Sequence, residues 1–501
     1  MLDDLDRIGP VLAMAGVASL ILVWDFLPSG GRLPAARGRP LMVAALLAPL
    51  LSVLWSVSLL SRDEDLSALS TFANSVVIDD FALFFFLLFA AIAAAIVLSS
   101  QDYAKRFSGY EAEFYALVLF ASSAMLLLAA SRDLILIFVA LELTSICQYI
   151  LAALQRDERS TEAAVKYLLL GATASAVILY GMAFLFGLTG TTRLVAPAGE
   201  PSIASIIAER GGEMQAGLIL ASVFLITGLG FKMAVVPFQM WVPDVYEGAP
   251  TPVAAFLSVA SKGAAFAVVL RIFFDGLPDE VASSDWAEVF AVVAAVSMSL
   301  GNLFALVQTN IKRLLGYSSI AQAGNFMVGL AAVSAAEGGL SLGASGVIFF
   351  VATYALTNLG AFIVVIAISG RTGSDQVADY AGLARRAPWL AGALAFGLIS
   401  LTGIPPTAGF VAKVYVFNAA IESDLAWLVV VAVLNSVLSA FYYLRIVRLM
   451  FLAEPVSSER LPISPALGLS LAVAVAGIVF VGIVPSPLLN AAKDAAAVFS
   501  Q

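Results

Sequence analysis

The sequence predicts an all-α membrane protein of about 14 transmembrane helices, with two inverted five-helix repeats that each contain a broken helix. Three observations carry this prediction. Of the 501 residues, 61% are hydrophobic and 12% charged, roughly half the charge of a soluble protein. Apolar windows of about 20 residues recur along the whole chain. Two of those windows are too long for one straight crossing, and each carries proline near its middle.

The first three windows, near 9–27, 40–60 and 78–99, form an N-terminal segment within 1–111. Asp3, Asp4 and Asp6 precede the first window. A cleavable signal would be basic there, so the run reads as a permanent span. Five windows near 112–130, 133–154, 162–188, 215–242 and 251–274 form a first unit over 112–274. Five more, near 286–308, 313–333, 341–370, 388–422 and 426–452, form a second over 286–452. A last window near 466–486 lies in the C-terminal segment 453–501. Pro237 interrupts the seventh window, and Pro405 with Pro406 interrupts the twelfth. Proline removes a backbone donor and clashes with the preceding turn, so both are expected to be broken helices.

Orientation follows from the basic residues of the loops. Loops after odd-numbered spans hold 15 Lys and Arg, and the other loops and termini hold 7. The odd loops are therefore expected in the cytoplasm and both termini outside. Asp63, Glu64 and Asp65, beside Arg62, place much of the acid in a short loop.

Composition also excludes chemistry. There is one cysteine, Cys147, and no histidine. Iron–sulfur clusters and classical zinc sites need thiolates or imidazoles, so no redox centre is expected in this chain. A proton relay here has no imidazole to use. No basic patch interleaved with aromatics points to nucleic acid.

With Arg271, Arg313, Arg445 and Arg448, near window ends, counted to the adjoining loops, four basic residues remain inside the windows: Lys166, Lys232, Lys262 and Lys413. A lysine at mid-helix costs on the order of 2.5–3.5 kcal/mol on insertion scales. Lys232 lies five residues before Pro237, Lys262 near the middle of the eighth span, and Lys413 seven residues after Pro406. Glu142 lies near the middle of the fifth. Lys166 sits about one turn inside the sixth, where snorkelling to the interface explains it equally well. For the deeper groups the plain alternative is a static ion pair. The functional reading is a proton path, because a desolvated lysine regains its proton beside a carboxylate and a broken helix frees backbone groups that only a polar cavity satisfies. Tyr149, Ser175, Thr227, Gln239, Ser261, Thr309, Tyr317, Ser318, Gln322, Asn325, Tyr354, Thr357 and Asn358 are further polar groups that water chains could join to it.

The two broken spans mirror each other. The seventh places its lysine before the proline and the twelfth after it, as an inverted repeat requires. Leu270-Arg271-Ile272 recurs as Leu444-Arg445-Ile446, 174 residues on, close to the 181 that separate Lys232 from Lys413.

Longer motifs carry a family resemblance. Phe231-Lys232-Met233-Ala234-Val235-Val236-Pro237-Phe238 leads into Trp241-Val242-Pro243-Asp244-Val245-Tyr246-Glu247-Gly248-Ala249-Pro250-Thr251-Pro252. With Phe256 to Lys262, Lys312 to Gly324 and Gly403 to Phe410, the stretch resembles subunit N, the antiporter-like membrane subunit of proton-pumping NADH:quinone oxidoreductase (bacterial complex I). The resemblance runs from about residue 75 to 455. It implies fourteen helices, a Glu in span 5 (Glu142) paired with a Lys in span 7 (Lys232), a central Lys in span 8 (Lys262) and an exit-side Lys in span 12 (Lys413). Lys166 also matches a family lysine. Lys413 argues against the related subunit M, which carries Glu there, and the short C-terminus argues against subunit L. Gln239 stands where many relatives carry His, and glutamine holds no extra proton near neutral pH.

The expected function is therefore proton translocation coupled to electron transfer from NADH to quinone. FMN and iron–sulfur clusters would sit on partner subunits, and quinone would bind elsewhere in the complex. Expected neighbours are the antiporter-like subunit M and small subunits such as K and J, within the lipid bilayer. Two alternatives stay open: a subunit of a multi-subunit cation/proton antiporter, and a structural subunit that conducts nothing.

Overall fold

The computed structural model describes residues 2–26, 38–62, 70–72, 74–107, 109–197, 199–277, 284–335, 340–455 and 461–500. Asp63, Glu64 and Asp65 of the acidic loop, and Arg32, Arg37 and Arg460 of the orientation count, lie outside the described residues.

Helix dominates, as apolar backbone without water requires. We label the long helices α1 (Gly9–Phe26), α2 (Gly38–Leu60), α3 (Asp80–Ser99), α4 (Glu111–Ala130), α5 (Leu134–Ala152), α6 (Glu158–Thr189) and α7 (Ile203–Met233). The short α8 (Trp241–Gly248) leads to α9 (Thr251–Asp275), α10 (Ser284–Leu306), α11 (Ile311–Ala335) and α12 (Leu340–Thr372). Then come α13 (Pro388–Thr402), α14 (Ala408–Glu422), α15 (Ala426–Leu452), α16 (Pro465–Ile483) and α17 (Ser486–Ala497). Among the described residues, twelve helices are long and apolar enough to cross a membrane. α11 is long but polar, and α13 and α14 are each too short. Among the described residues, the named strands are a hairpin of two-residue strands, Ser70–Thr71 against Val76–Val77.

Side chains such as Leu20, Leu54, Val430 and Phe441 project from the outer helices and are more than half exposed. A belt of that kind suits lipid and not water. α9 is the opposite, with every residue of its apolar window buried. It is the axis around which the other helices pack. Lys262 sits at its middle, directly after a π-helical turn, Leu257–Ser261; a second such turn, Arg271–Asp275, closes the helix.

Both expected breaks are present. α7 stops at Met233, where Ala234 turns left-handed at φ +62°. The freed amide of Val236 donates to Ser297 Oγ on α10 at 2.9 Å. The other break separates α13 from α14 at residues 403–407, with Gly403 at φ +89°. Across it the amide of Gly409 donates to Ser400 Oγ at 3.1 Å. One boundary differs from expectation. α7 begins at Ile203, twelve residues before the apolar window, with Ser202 and Ser205 in a reciprocal capping box. Glu209, Arg210 and Glu213 keep that first part out of a hydropathy window although it is helical.

Candidate proton-translocation site

Lys232, Lys262 and Lys413 are all buried, each at most 5% exposed. Lys232 occupies the last turn of α7, against the break, and not mid-helix as the apolar window suggested. Its ammonium donates to Ser145 Oγ on α5 at 2.6 Å and lies 5.8 Å from the centre of the Tyr149 ring. Glu142 is one turn before Ser145 on the same helix. The structure forms no direct hydrogen bond between Lys232 and Glu142, and Glu142 Oε1 is buried without a partner. Ser145, one turn from Glu142 on α5, is the α5 side chain that Lys232 bonds.

Lys262 donates to the carbonyl and hydroxyl oxygens of Ser319 on α11, the latter at 2.6 Å, and Tyr354 of α12 donates to the same hydroxyl at 3.0 Å. Between the first two lysines, Gln148 Oε1 accepts from Tyr167 at 2.9 Å and from Ser261 at 3.2 Å. Gln148 Nε2 and Tyr149 Oη are buried without partners, which marks this gap as a place for water.

Lys413 reaches back across its break. It donates to the carbonyl of Thr402, the last residue of α13, at 2.9 Å and to Ser436 Oγ on α15 at 3.1 Å. Cation at a helix C-terminus is the favoured sign for the dipole. Gly403 is required here: a Cβ would lie 2.9 Å from Lys413 Cδ, on backbone that already has positive φ. From Ser319 toward Lys413 the polar groups continue. Ser318 bonds Tyr443, Gln322 donates to the Leu401 carbonyl at 3.0 Å, and Tyr442 donates to Asn302 at 2.9 Å.

All three lysines thus donate to neutral oxygens. The static cations behave otherwise. Arg271, fully buried on α9, bonds Asp79 at 2.6 Å and Asp275 at 3.1 Å. Lys312 is buried against Asp375 at 2.9 Å. Sequence reading had assigned both to loops. Lys166 also joins this class: it is 44% exposed, 2.8 Å from Glu162 and 3.0 Å from Asp244. Asp244 pairs in turn with Arg313 at 2.7 Å. Burial alone would raise the Asp244 carboxyl, but the Lys166 and Arg313 donors outweigh it and hold it below the usual carboxylate range. The structure therefore brings Lys232, Lys262 and Lys413 into one buried polar track with Glu142 at its edge, and leaves Lys166 in a surface ion cluster. Ser145, Gln148, Ser319 and Ser436 were missed, because a serine or glutamine in an apolar window carries no signal of which helix face it occupies. Gln239 Oε1 is buried without a partner.

A family model described as NADH:quinone oxidoreductase/Mrp antiporter, TM, matches residues 131–439. The NADH-quinone oxidoreductase subunit N of Dehalococcoides mccartyi is 42% identical over 433 residues, 85% of this chain and 87% of that protein. The chain belongs to the NADH-quinone oxidoreductase subunit N family. NADH-quinone oxidoreductase subunit N 2 of Sorangium cellulosum is 41% identical and extends the match to 92% of this chain and 90% of its own length. A chain of respiratory complex I from Thermus thermophilus with bound aureothin superposes with a TM-score of 0.76 at 32% identity, covering 96% of this chain and 98% of that one. A chain of the Mrp complex from a Dietzia species reaches a TM-score of 0.84 at 20% identity over 99% of this chain and 97% of its own, which is a likeness of fold alone. Subunit N proteins are membrane subunits of a proton-translocating oxidoreductase, and this chain is one of them.

Proposed function

We propose that protons cross this subunit along Glu142, Lys232, Lys262 and Lys413, in that order, with water filling the gaps. The observation that carries the reading is the acceptor set. Three buried ammonium groups face hydroxyls and carbonyls, and a desolvated lysine without a fixed carboxylate can give up and regain its proton at modest cost. Static ion pairs, as at Arg271, would hold charge in place instead. Glu142 modulates Lys232 through Ser145, Lys262 relays at the centre of α9, and Lys413 passes the proton outward. Lys166 sets the shape of the entry region through Asp244.

The finer architecture belongs to the same proposal. α11 and the pair α13–α14 count as crossings, giving fourteen spans, with both termini outside in a bacterial inner membrane. Residues 112–274 and 286–452 are the inverted five-helix units, flanked by 1–111 and 453–501. The mirrored order of lysine and break supports this. Flavin, iron–sulfur clusters and quinone sit on partner subunits. Val139, Leu143 and Ile146, around Glu142, are exposed, so the carboxylate lies at a face that a neighbouring subunit would cover; M, and small subunits such as K and J, are the neighbours we assign.

The test is proton uptake per electron in reconstituted complex carrying Lys232→Ala or Lys413→Ala. We expect pumping to fall while the complex still assembles. Unchanged pumping at unchanged electron flow would refute the path.

A further inference from the structure

Arg445 and Arg448 lie one turn apart near the end of α15 and line a cavity of about 600 Å³. Gln308 and Gln376 supply two amides to its wall, and Leu449 and Leu452 supply apolar surface. Among the described residues, no carboxylate lines it. Arg445 is held by carbonyls, those of Leu306 at 3.0 Å and Gln308 at 2.7 Å. Those bonds fix the guanidinium without neutralising it. Arg448 forms no ion pair among the described residues. Among the described residues, the two guanidiniums in the cavity wall therefore face no carboxylate.

Its surroundings say what kind of anion it suits. Leu452 of its wall and Val307, next in sequence to the lining Gln308, are 74% and 71% exposed. Apolar side chains that project beside an arginine pair mark the boundary between hydrocarbon and headgroup. A second cavity, of about 180 Å³, lies beside Lys105 and Arg371. There Asp102 joins the wall and pairs with Lys105 at 2.8 Å, so one of the two charges is already met.

We infer that the Arg445–Arg448 cavity binds the phosphate of an anionic phospholipid, with an acyl chain along Leu449, Leu452 and Val307. Guanidinium forks match phosphate oxygens two at a time. Basic pockets between helix ends hold anionic headgroups for this reason. Free inorganic phosphate shares the headgroup chemistry but has nothing to place on the apolar wall. The inference is independent of the proton path, since neither arginine belongs to it.

The complete complex, purified in mild detergent, is offered photoactivatable phosphatidylglycerol or phosphatidylcholine with the same acyl group. Phosphatidylglycerol is expected to label residues 445–453 preferentially. Arg448→Gln is expected to reduce that labelling about fivefold, and Arg448→Lys to retain most of it. Excess inorganic phosphate should leave the labelling in place. Equal labelling by the two lipids overturns the inference, as does displacement by inorganic phosphate. Absence of labelling together with a cross-link from this segment to a neighbouring subunit also overturns it, by naming a protein occupant. If Arg448→Gln prevents assembly, the two-lipid comparison on the unaltered complex decides alone.

Discussion

Ser145 is the smallest group on which the proposed path depends. Its hydroxyl accepts from Lys232 and donates to the Leu141 carbonyl at 2.6 Å. Removing it leaves a buried ammonium without its acceptor, a cost of about 1–3 kcal/mol. Ser145→Ala is therefore expected to slow proton pumping about tenfold at constant NADH oxidation, and Ser145→Thr to restore it. Dye quenching in vesicles, read against electron flow, measures both. A pumping rate unaffected by Ser145→Ala would mean that Glu142 and Lys232 communicate without this hydroxyl.

The broken helices show what an apolar sequence reveals and what it hides. Pro237, Pro405 and Pro406 act through the backbone alone, so the two breaks are legible without knowing any neighbour. The lysines are legible because charge in an apolar window is costly wherever the helix faces. Their partners are not: Ser319 and Ser436 are ordinary residues until packing turns them inward. Arg271 was misread because it stands near a span end, where charge is normally solvated, whereas here Asp79 and Asp275 bury it. Glycine is hidden too. A Cβ at Gly409 would lie 2.0 Å from the Ser400 carbonyl oxygen, so α13 and α14 meet there without room for a methyl. Gly409→Ala should cost about 1–3 kcal/mol of overpacking and lower the thermal stability of the purified complex. Gly392→Ala, where the added atom meets open space, should not.

At the scale of the molecule, charge joins distant segments. Asp79 before α3, Arg132 before α5, and Arg271 with Asp275 at the end of α9 form one cluster, and the Arg271 guanidinium lies 5.9 Å from the Phe499 ring near the C-terminus. Arg271→Ala leaves Arg132 alone, among the described residues, to face two buried carboxylates and is expected to cost about 3–5 kcal/mol; the amount of assembled complex in membranes should fall sharply. Asp244 gives a pH dependence. Its carboxyl is held below the ordinary value by Lys166 and Arg313 despite partial burial. The stabilisation is thus present above the ordinary carboxylate pKa and lost as pH falls through the lowered one. Thermal melts of the complex against pH should show this acid loss, and Asp244→Asn should flatten it. The central helix α9 is fastened at both ends. The Thr251 amide donates to Tyr103 Oη at 3.3 Å and its hydroxyl donates to Ser369 Oγ at 3.1 Å, while Arg271 anchors the far end. The wide turn Leu257–Ser261 lies between those anchors and the second, Arg271–Asp275, at the far one, and the two bracket the nine residues from Lys262 to Leu270. A wide turn holds an extra residue that a tighter turn can release. The axle therefore keeps its slack beside Lys262, at its middle, while its ends are pinned.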